Sequence, residues 1–352
     1  MSNSNYLKPK VIRFSTFKKL CFITKVLFLL SLYLLFFCTP QKEKKVETKE
    51  PEVTQTPPTQ EDHTSISANR LKKTVKFLSS MKPARNFYHV ESLNKAAEFI
   101  SREFQKANLQ TFEQKFVVSH KEYKNIIATL GPPSAPRIVV GAHYDVYGNY
   151  QGADDNASGI AGLLELARVS APLSQKLKYR IDFVAYTLEE PPNFRTTSMG
   201  SYVHASDLQR QGVEVLGMLA LEMIGYFSQE ANSQRYPIAA MKYIYPSTGN
   251  YIAIVGNEAS ANMVGHFERY MKKTSVRVES LIAPESIQGV DFSDHLNYWA
   301  KGYRAIMITD TAFFRNPNYH QSTDTPETLN YKKMAELLNG VYMGIRDFSI
   351  EK

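Results

Sequence analysis

His143 closes the apolar run Arg137-Ile-Val-Val-Gly-Ala142 and stands two residues before Asp145. A histidine with a carboxylate close behind it is an arrangement in which the acid fixes the ring's tautomer and direction. Further along come Gly152-Ala-Asp154-Asp155-Asn156-Ala-Ser-Gly159, then the acid pair Glu189-Glu190, then Leu221-Glu222-Met223-Ile224-Gly225, and finally Tyr319-His320 in the loop Asn318–Thr325. Each piece has an ordinary structural reading. A histidine at a strand end is often just a satisfied core residue, Asp and Asn cap helices, and an acid pair before Pro191-Pro192 suits a solvated loop. Glu222 is harder to place, because a lone acid inside an apolar run needs a partner once buried. Two histidines with three of these carboxylates and no cysteine nearby make a donor set suited to Zn²⁺ with mixed nitrogen and oxygen ligation. One bridging carboxylate, with a histidine and a second carboxylate on each ion, would build two sites about 3.5–4 Å apart, the spacing of hydrolytic two-metal centres.

For these side chains to meet, the elements that carry them must end on one side of the molecule. Arg137–Ala142, Arg180–Thr187, Val215–Leu221, Tyr251–Val255 and Arg304–Ile308 are short apolar runs of the buried parallel-strand type, and Phe112–Val118 and Asn125–Leu130 read as further strands. Helical spacing places helices over Ser92–Asn108, Ala157–Arg168, Ser198–Gln211, Ala259–Lys273 and Tyr331–Arg346. Strands alternating with helices predict a three-layer α/β/α sandwich with a mostly parallel central sheet. Ligands of such sheets bind beyond the carboxyl ends of the strands. That is where His143, Glu189-Glu190, Glu222 and the His320 loop fall.

Composition narrows the alternatives. The chain has 352 residues, 42 Lys+Arg against 34 Asp+Glu, and a net charge of +8. Six of the positives (Lys8, Lys10, Arg13, Lys18, Lys19, Lys25) lie before Cys38 with no acid among them, leaving 8 − 6 = +2 for the rest. No basic footprint for nucleic acid remains. The two cysteines, Cys21 and Cys38, are confined to the same opening segment, so the body has neither a disulfide scaffold nor a thiolate ligand. Val26–Phe37 is an apolar run of twelve after that basic stretch, shorter than the ~20 residues of a comfortable membrane span. It reads as an export signal or membrane anchor over residues 1–38. Leu35-Phe36-Phe37-Cys38 is similar to a lipobox, with Phe37 where a small residue is usual. The Lys-, Glu-, Thr- and Pro-rich stretch 39–68 reads as a disordered tether. The folded domain is expected over 69–352, exported and held at the cell envelope by its N-terminal segment, through lipid at Cys38 or as an uncleaved anchor.

The ordered set H-x-D, G-A-D-D-x-x-S-G, E-E, L-E-M-I-G and Y-H-x-x-x-D-T resembles the co-catalytic zinc aminopeptidases of metallopeptidase family 28, over about Ser92–Arg346. The resemblance implies a zinc aminopeptidase/phosphorylase-like fold, two Zn²⁺ per chain and peptide substrates cut from the amino end. It implies His143 and Glu222 on one ion, Glu190 and His320 on the other, and Asp155 bridging. Asp145 would orient His143, and Glu189 would be the general base. Tyr319 is a candidate for contact with substrate. Two departures stand out: Glu222 occupies a position that is usually Asp, and Pro191-Pro192-Asn193-Phe194-Arg195 replaces a shorter link to Gly200-Ser201. Ser293-Asp294-His295 resembles a loop near the family's site and is assigned no ligand role. Glutaminyl cyclases and carboxypeptidase-type enzymes are relatives, and a non-catalytic surface binding protein is the alternative outside enzymes.

Overall fold

A computed structural model of the chain describes residues 65–350. The segments expected as export signal and as most of the tether (1–38 and 39–64) lie outside the described residues. Among the described residues no helix is long and apolar enough to cross a membrane. The chain is already tied to the domain at Ser67, whose amide donates to Glu165 at 2.8 Å and whose hydroxyl caps the first helix.

The elements run α1 (Ala68–Ser79), α2 (Val90–Lys106), β1 (Gln110–Val118), β2 (Lys121–Leu130), β3 (Arg137–His143), α3 (Gly159–Ser170), β4 (Arg180–Tyr186), α4 (Gly200–Arg210), β5 (Val215–Glu222), β6 (Tyr251–Gly256), α5 (Ala261–Met271), β7 (Arg277–Ile282), α6 (His295–Trp299), β8 (Ala305–Thr309) and α7 (Tyr331–Ser349). They form a single eight-stranded sheet in the order β1-β2-β4-β3-β5-β8-β6-β7. Alternation along the strands divides the core between its faces. Ile138, Val140 and Ala142 of β3 pack with α1, α2, α3, α5 and α7, whereas Val139 joins α4 and α6 on the other side. This is the three-layer sandwich that the strand–helix alternation predicts. Helix α3 is buried on almost every side, which its near-continuous apolar sequence permits.

The sheet is mixed. β4, β3, β5 and β8 run parallel, but β6 pairs antiparallel with β8, so the parallel direction expected for Tyr251–Val255 does not hold on that side. No crossover helix links β5 to β6; an irregular excursion over 223–250 lets the chain reverse. Three elements are absent from the sequence reading. They are α1, the edge strand β7, in which only Val278 is fully buried, and the five-residue α6.

Candidate metal centre

The carboxyl ends of β3, β4 and β5, together with the loop after β8, converge on one point. β3 ends in His143 and β5 ends in Glu222, whose Oε2 stands 3.3 Å from His143 Nε2. Asp155 sits between the two histidines, with Oδ1 3.4 Å from His143 Nε2 and Oδ2 3.1 Å from His320 Nε2. Glu190 Oε2 lies 3.3 Å from His320 Nε2. The result is two triads, His143–Asp155–Glu222 and Asp155–Glu190–His320, that share one carboxylate. Glu189 Oε2 is 3.9 Å from His143 Nε2, beside both. The structure thus brings together all seven residues singled out at the strand ends and in the Asp154-Asp155 segment, and Tyr319 lines the same cavity.

Asp154 and Asp155 are not helix caps. Residues 153–158 form an irregular turn in which Asp155 and Asn156 leave helical geometry, and α3 begins at Gly159. Asn156 pins this turn to the end of β5: its Oδ1 accepts from the amides of Gly159 and Met223, and its Nδ2 donates to Leu221 O at 2.8 Å. Asp155 is thereby turned away from the helix axis toward the histidines.

Two further carboxylates secure the loops. Asp145 accepts from the amides of Glu189 at 3.1 Å and Glu190 at 3.0 Å, while its Oδ1 lies 3.6 Å from His143 Nδ1, beyond hydrogen-bond range. Asp324 does the same for the other pair, accepting from the amides of Asp154 at 2.8 Å and Asp155 at 3.1 Å. Each histidine-bearing segment therefore supplies an aspartate that grips the backbone of an acid pair carried by another segment.

The balance of charge is unusual for a protein interior. Burial, with Asp155 alongside, pushes Glu190 up to about 8. Burial and the neighbouring Glu190 and Glu222 hold Glu189 well above the usual carboxylate range against the pull of His143. Burial raises Asp155 too, yet His143 and His320 outweigh it and hold this acid below its ordinary value. Both histidines are raised in turn: burial opposes this, but Glu222 and Glu189 prevail at His143, and Asp155 and Glu190 take His320 to about 10. The acids exceed the cations that face them, a deficit that bound divalent ions would cancel.

The donors also fit the size of such an ion. Ligands about 2.0–2.1 Å from a tetrahedral Zn²⁺ stand about 3.3–3.4 Å from one another, and the His–carboxylate separations here run from 3.1 to 3.4 Å. Both ring nitrogens of His143 and Glu190 Oε1 are buried without a hydrogen-bond partner. Buried polar atoms left this way call for a ligand.

Four residues that serve the site carry no assigned role in the sequence reading. Asp324 is the final acid of Y-H-x-x-x-D-T, so its signal lies within the motif. Ser293, from the Ser-Asp-His loop, donates to Glu222 Oε2 at 2.7 Å, and burial takes its neighbour Asp294 up to about 7. Asn156 belongs to the G-A-D-D segment. Arg85 has no sequence signal at all. It is 2% exposed and donates to four carbonyls, those of Tyr144, Leu78, Gln151 and Gly152.

A cavity of about 220 Å³ opens beside the triads, walled by Phe194, Phe292, Phe313, Val255 and Met307 and roofed by Tyr236 and Met241 of the 223–250 excursion. The segment Pro191–Arg195 borders it through Pro191 and Phe194.

Residues 125–343 match the sequence profile of peptidase family M28. The chain belongs to this family. Among its relatives, Uncharacterized protein YfbL of Escherichia coli K12 is 44% identical over 285 residues, covering 78% of this chain and 86% of that one. Leucine aminopeptidase 1 of Arthroderma otae is 27% identical over 242 residues, covering 65% and 58% respectively. Among solved structures, LapB of Legionella pneumophila superposes with a TM-score of 0.63 at 20% identity over 82% of this chain and 74% of that one. A glutaminyl cyclase of Fimbriiglobus ruber superposes with a TM-score of 0.60 at 19% identity over 80% and 95%. These structures share the α/β fold, and M28 membership makes the chain a peptidase.

Proposed function

We propose that the chain is a zinc-dependent aminopeptidase whose site takes two ions. The observation that carries this reading is the pair of triads sharing Asp155 at zinc-ligand spacing. His143, Glu222 and Asp155 would hold one ion, and His320, Glu190 and Asp155 the other. When bound, Zn²⁺ supplies the Lewis acidity that polarises the scissile carbonyl and acidifies water. Glu189 takes the proton of the attacking water and delivers it to the leaving amine. Its burial and its acidic neighbours suit it to hold that proton between the two transfers. Asp145 keeps Glu189 and Glu190 in place through their amides. The phenyl rings of Phe194, Phe292 and Phe313 shield the reacting groups from bulk water, and the buried acids offer a counter-charge for the substrate's free α-amino group.

The test compares free peptides with their N-acetylated forms, using chelated protein and the same protein returned to Zn²⁺. Cleavage only of free peptides, lost on chelation and regained with zinc, supports the reading. Glu189→Gln should keep both ions and lose about 10²–10⁴-fold in kcat. Equal cleavage of acetylated peptides would remove the aminopeptidase assignment, and an unaffected Glu189→Gln would remove the base. We also propose, on the basic stretch and apolar run before Cys38, that the domain works outside the cytoplasm on an N-terminal tether. Intact mass with and without a signal-peptidase inhibitor separates lipid at Cys38 from an uncleaved anchor, and recovery in the cytosol would refute both.

A further inference from the structure

His320 reaches the second triad through Nε2, yet no hydrogen bond or ion pair holds its Nδ1 among the described residues. Metal-binding histidines are commonly oriented by such a bond to the second ring nitrogen. The backbone at His320 offers little help, since its φ of +55° lies in the left-handed region that side-chain-bearing residues rarely adopt.

Two aromatic rings take the place of that bond. Tyr319 stacks on the imidazole with centroids 3.8 Å apart and planes 16° from parallel, and Tyr147 stacks at 4.0 Å and 5°. Two rings this close and this parallel cannot share one face, so the imidazole is sandwiched between them. Tyr319 adjoins His320 in sequence, whereas Tyr147 comes from the loop after β3, which Arg85 anchors by accepting from the Val146 amide at 3.0 Å. A rotation about the Cβ–Cγ bond, which tips the ring plane and carries Nε2 away from Asp155 and Glu190, drives the imidazole edge into a tyrosine face. An imidazole made electron-poor by a bound cation is also favoured between electron-rich ring faces.

We propose that Tyr147 is a positioning residue. Its ring closes an aromatic clamp that aims His320 Nε2 at the shared carboxylate, doing the work that a hydrogen bond to Nδ1 does in other metal sites. The side chain of Tyr147 makes no hydrogen bond among the described residues and is 37% exposed, so the ring face acts and the hydroxyl does not. The inference rests on reading this cluster as a metal centre.

The experiment titrates the metal-free full chain with Zn²⁺ against a chromophoric chelator, for the parent, Y147F, Y147A and Y147L. Parent and Y147F should bind two ions with matching constants. In Y147A and Y147L one of the two constants should weaken by about 10–100-fold, the usual effect of losing an orienting partner. Metal-free thermal unfolding should stay the same in all four, which a merely structural role for the ring would not allow. Y147A and Y147L binding both ions as tightly as the parent would overturn the clamp alone, as would a Y147F as weak as Y147A. A parent that takes up no zinc would overturn the metal centre and the clamp with it.

Discussion

Arg85 offers a sharp test of how the site is built, because nothing about it is catalytic. Its guanidinium donates at 2.8 Å to Tyr144 O, 2.9 Å to Leu78 O, 2.7 Å to Gln151 O and 2.6 Å to Gly152 O. Tyr144 follows His143, and Gln151-Gly152 lead into Asp154-Asp155, so one buried cation ties together two of the ligand-bearing segments. Burial lowers its pKa to about 10 against the pull of Asp324 and Asp145, which leaves it charged at neutral pH. Arg85→Met keeps the aliphatic volume but strands the carbonyls of Tyr144 and Gln151, while Leu78 O and Gly152 O keep the amides of Met81 at 3.4 Å and Ala157 at 3.2 Å. A single unsatisfied buried acceptor costs about 1–3 kcal/mol, which makes about 2–6 kcal/mol for two. A working value of about 3–5 kcal/mol from the middle of that range gives a fall in Tm of about 6–10 °C at roughly 2 °C per kcal/mol for a domain of this size. Arg85→Lys keeps the charge but lacks the planar fork, and should fall between Met and the parent. The assay pairs thermal unfolding with peptidase turnover measured well below the lowered Tm. We expect turnover to fall in the order Arg, Lys, Met, because the loops shift even where the fold survives. An Arg85→Met protein within 2 °C of the parent, or one fully active, would refute the account.

Two further outcomes are expected. Gly159→Ala should destabilise by about 1–3 kcal/mol by chemical denaturation, although alanine ordinarily stabilises a helix by about 1 kcal/mol, because the new methyl meets Asn156 Oδ1 and Leu221 O; a neutral or stabilising result would show that the Asn156 pin can move freely. The metal-free protein should lose stability as pH rises from about 5 to 8. Glu190, Asp294 and Asp324 stand near 8, 7 and 7 when folded, so the folded chain retains protons that the unfolded chain has already shed, and His320 near 10 adds to this above its unfolded value; His204 and His295, lowered to about 4 by burial, pull the other way only below their unfolded value and are outnumbered. The stabilising contribution of the raised groups is thus present at low pH and is lost through the folded pKa values. Thermal scans at pH 5 and 8 should show zinc restoring more Tm at pH 8, and a metal-free Tm that climbs over this range would contradict it.

What could be read from the sequence follows from what is local. β3, β5 and β8 are largely apolar runs and β4 is broken only by Asp182, and their ends announce His143, Glu189-Glu190 and Glu222 because buried strands rarely close on charge without cause. The boundaries shift by about one residue; β5, for instance, takes in Glu222 itself. The antiparallel seating of β6 against β8 was not legible, since an apolar run has no direction and the reversal depends on the irregular excursion before it. α1 carries Leu71, Val75 and Leu78 on one face, but the intervening lysines and arginine disguise it as surface chain. Arg85 is the extreme case: an arginine between Pro83-Ala84 and Asn86 looks solvated, and only the fold shows four carbonyls closing round it. Tyr147 is hidden for the same reason, because the meaning of its ring depends on His320 arriving from 173 positions away (320 − 147).

The grip of Asp145 and Asp324 explains why the motifs must come as a set. Asp145 sits two residues after His143 and holds Glu189 and Glu190 by their amides; Asp324 sits four residues after His320 and holds Asp154 and Asp155 by theirs. A histidine and the acids on the opposite side of the centre are therefore set by one and the same loop. With His143 go the base candidate Glu189 and the second-triad acid Glu190, and with His320 goes the carboxylate Asp155 that both triads share. Neither half can be moved without moving the other. The distance between the two triads is consequently fixed by short backbone hydrogen bonds, and the side chains need only complete it. Glu222 lies outside this double grip, held by Ser293 at the end of β5. A side chain held in that way can adjust its reach without disturbing the two paired loops.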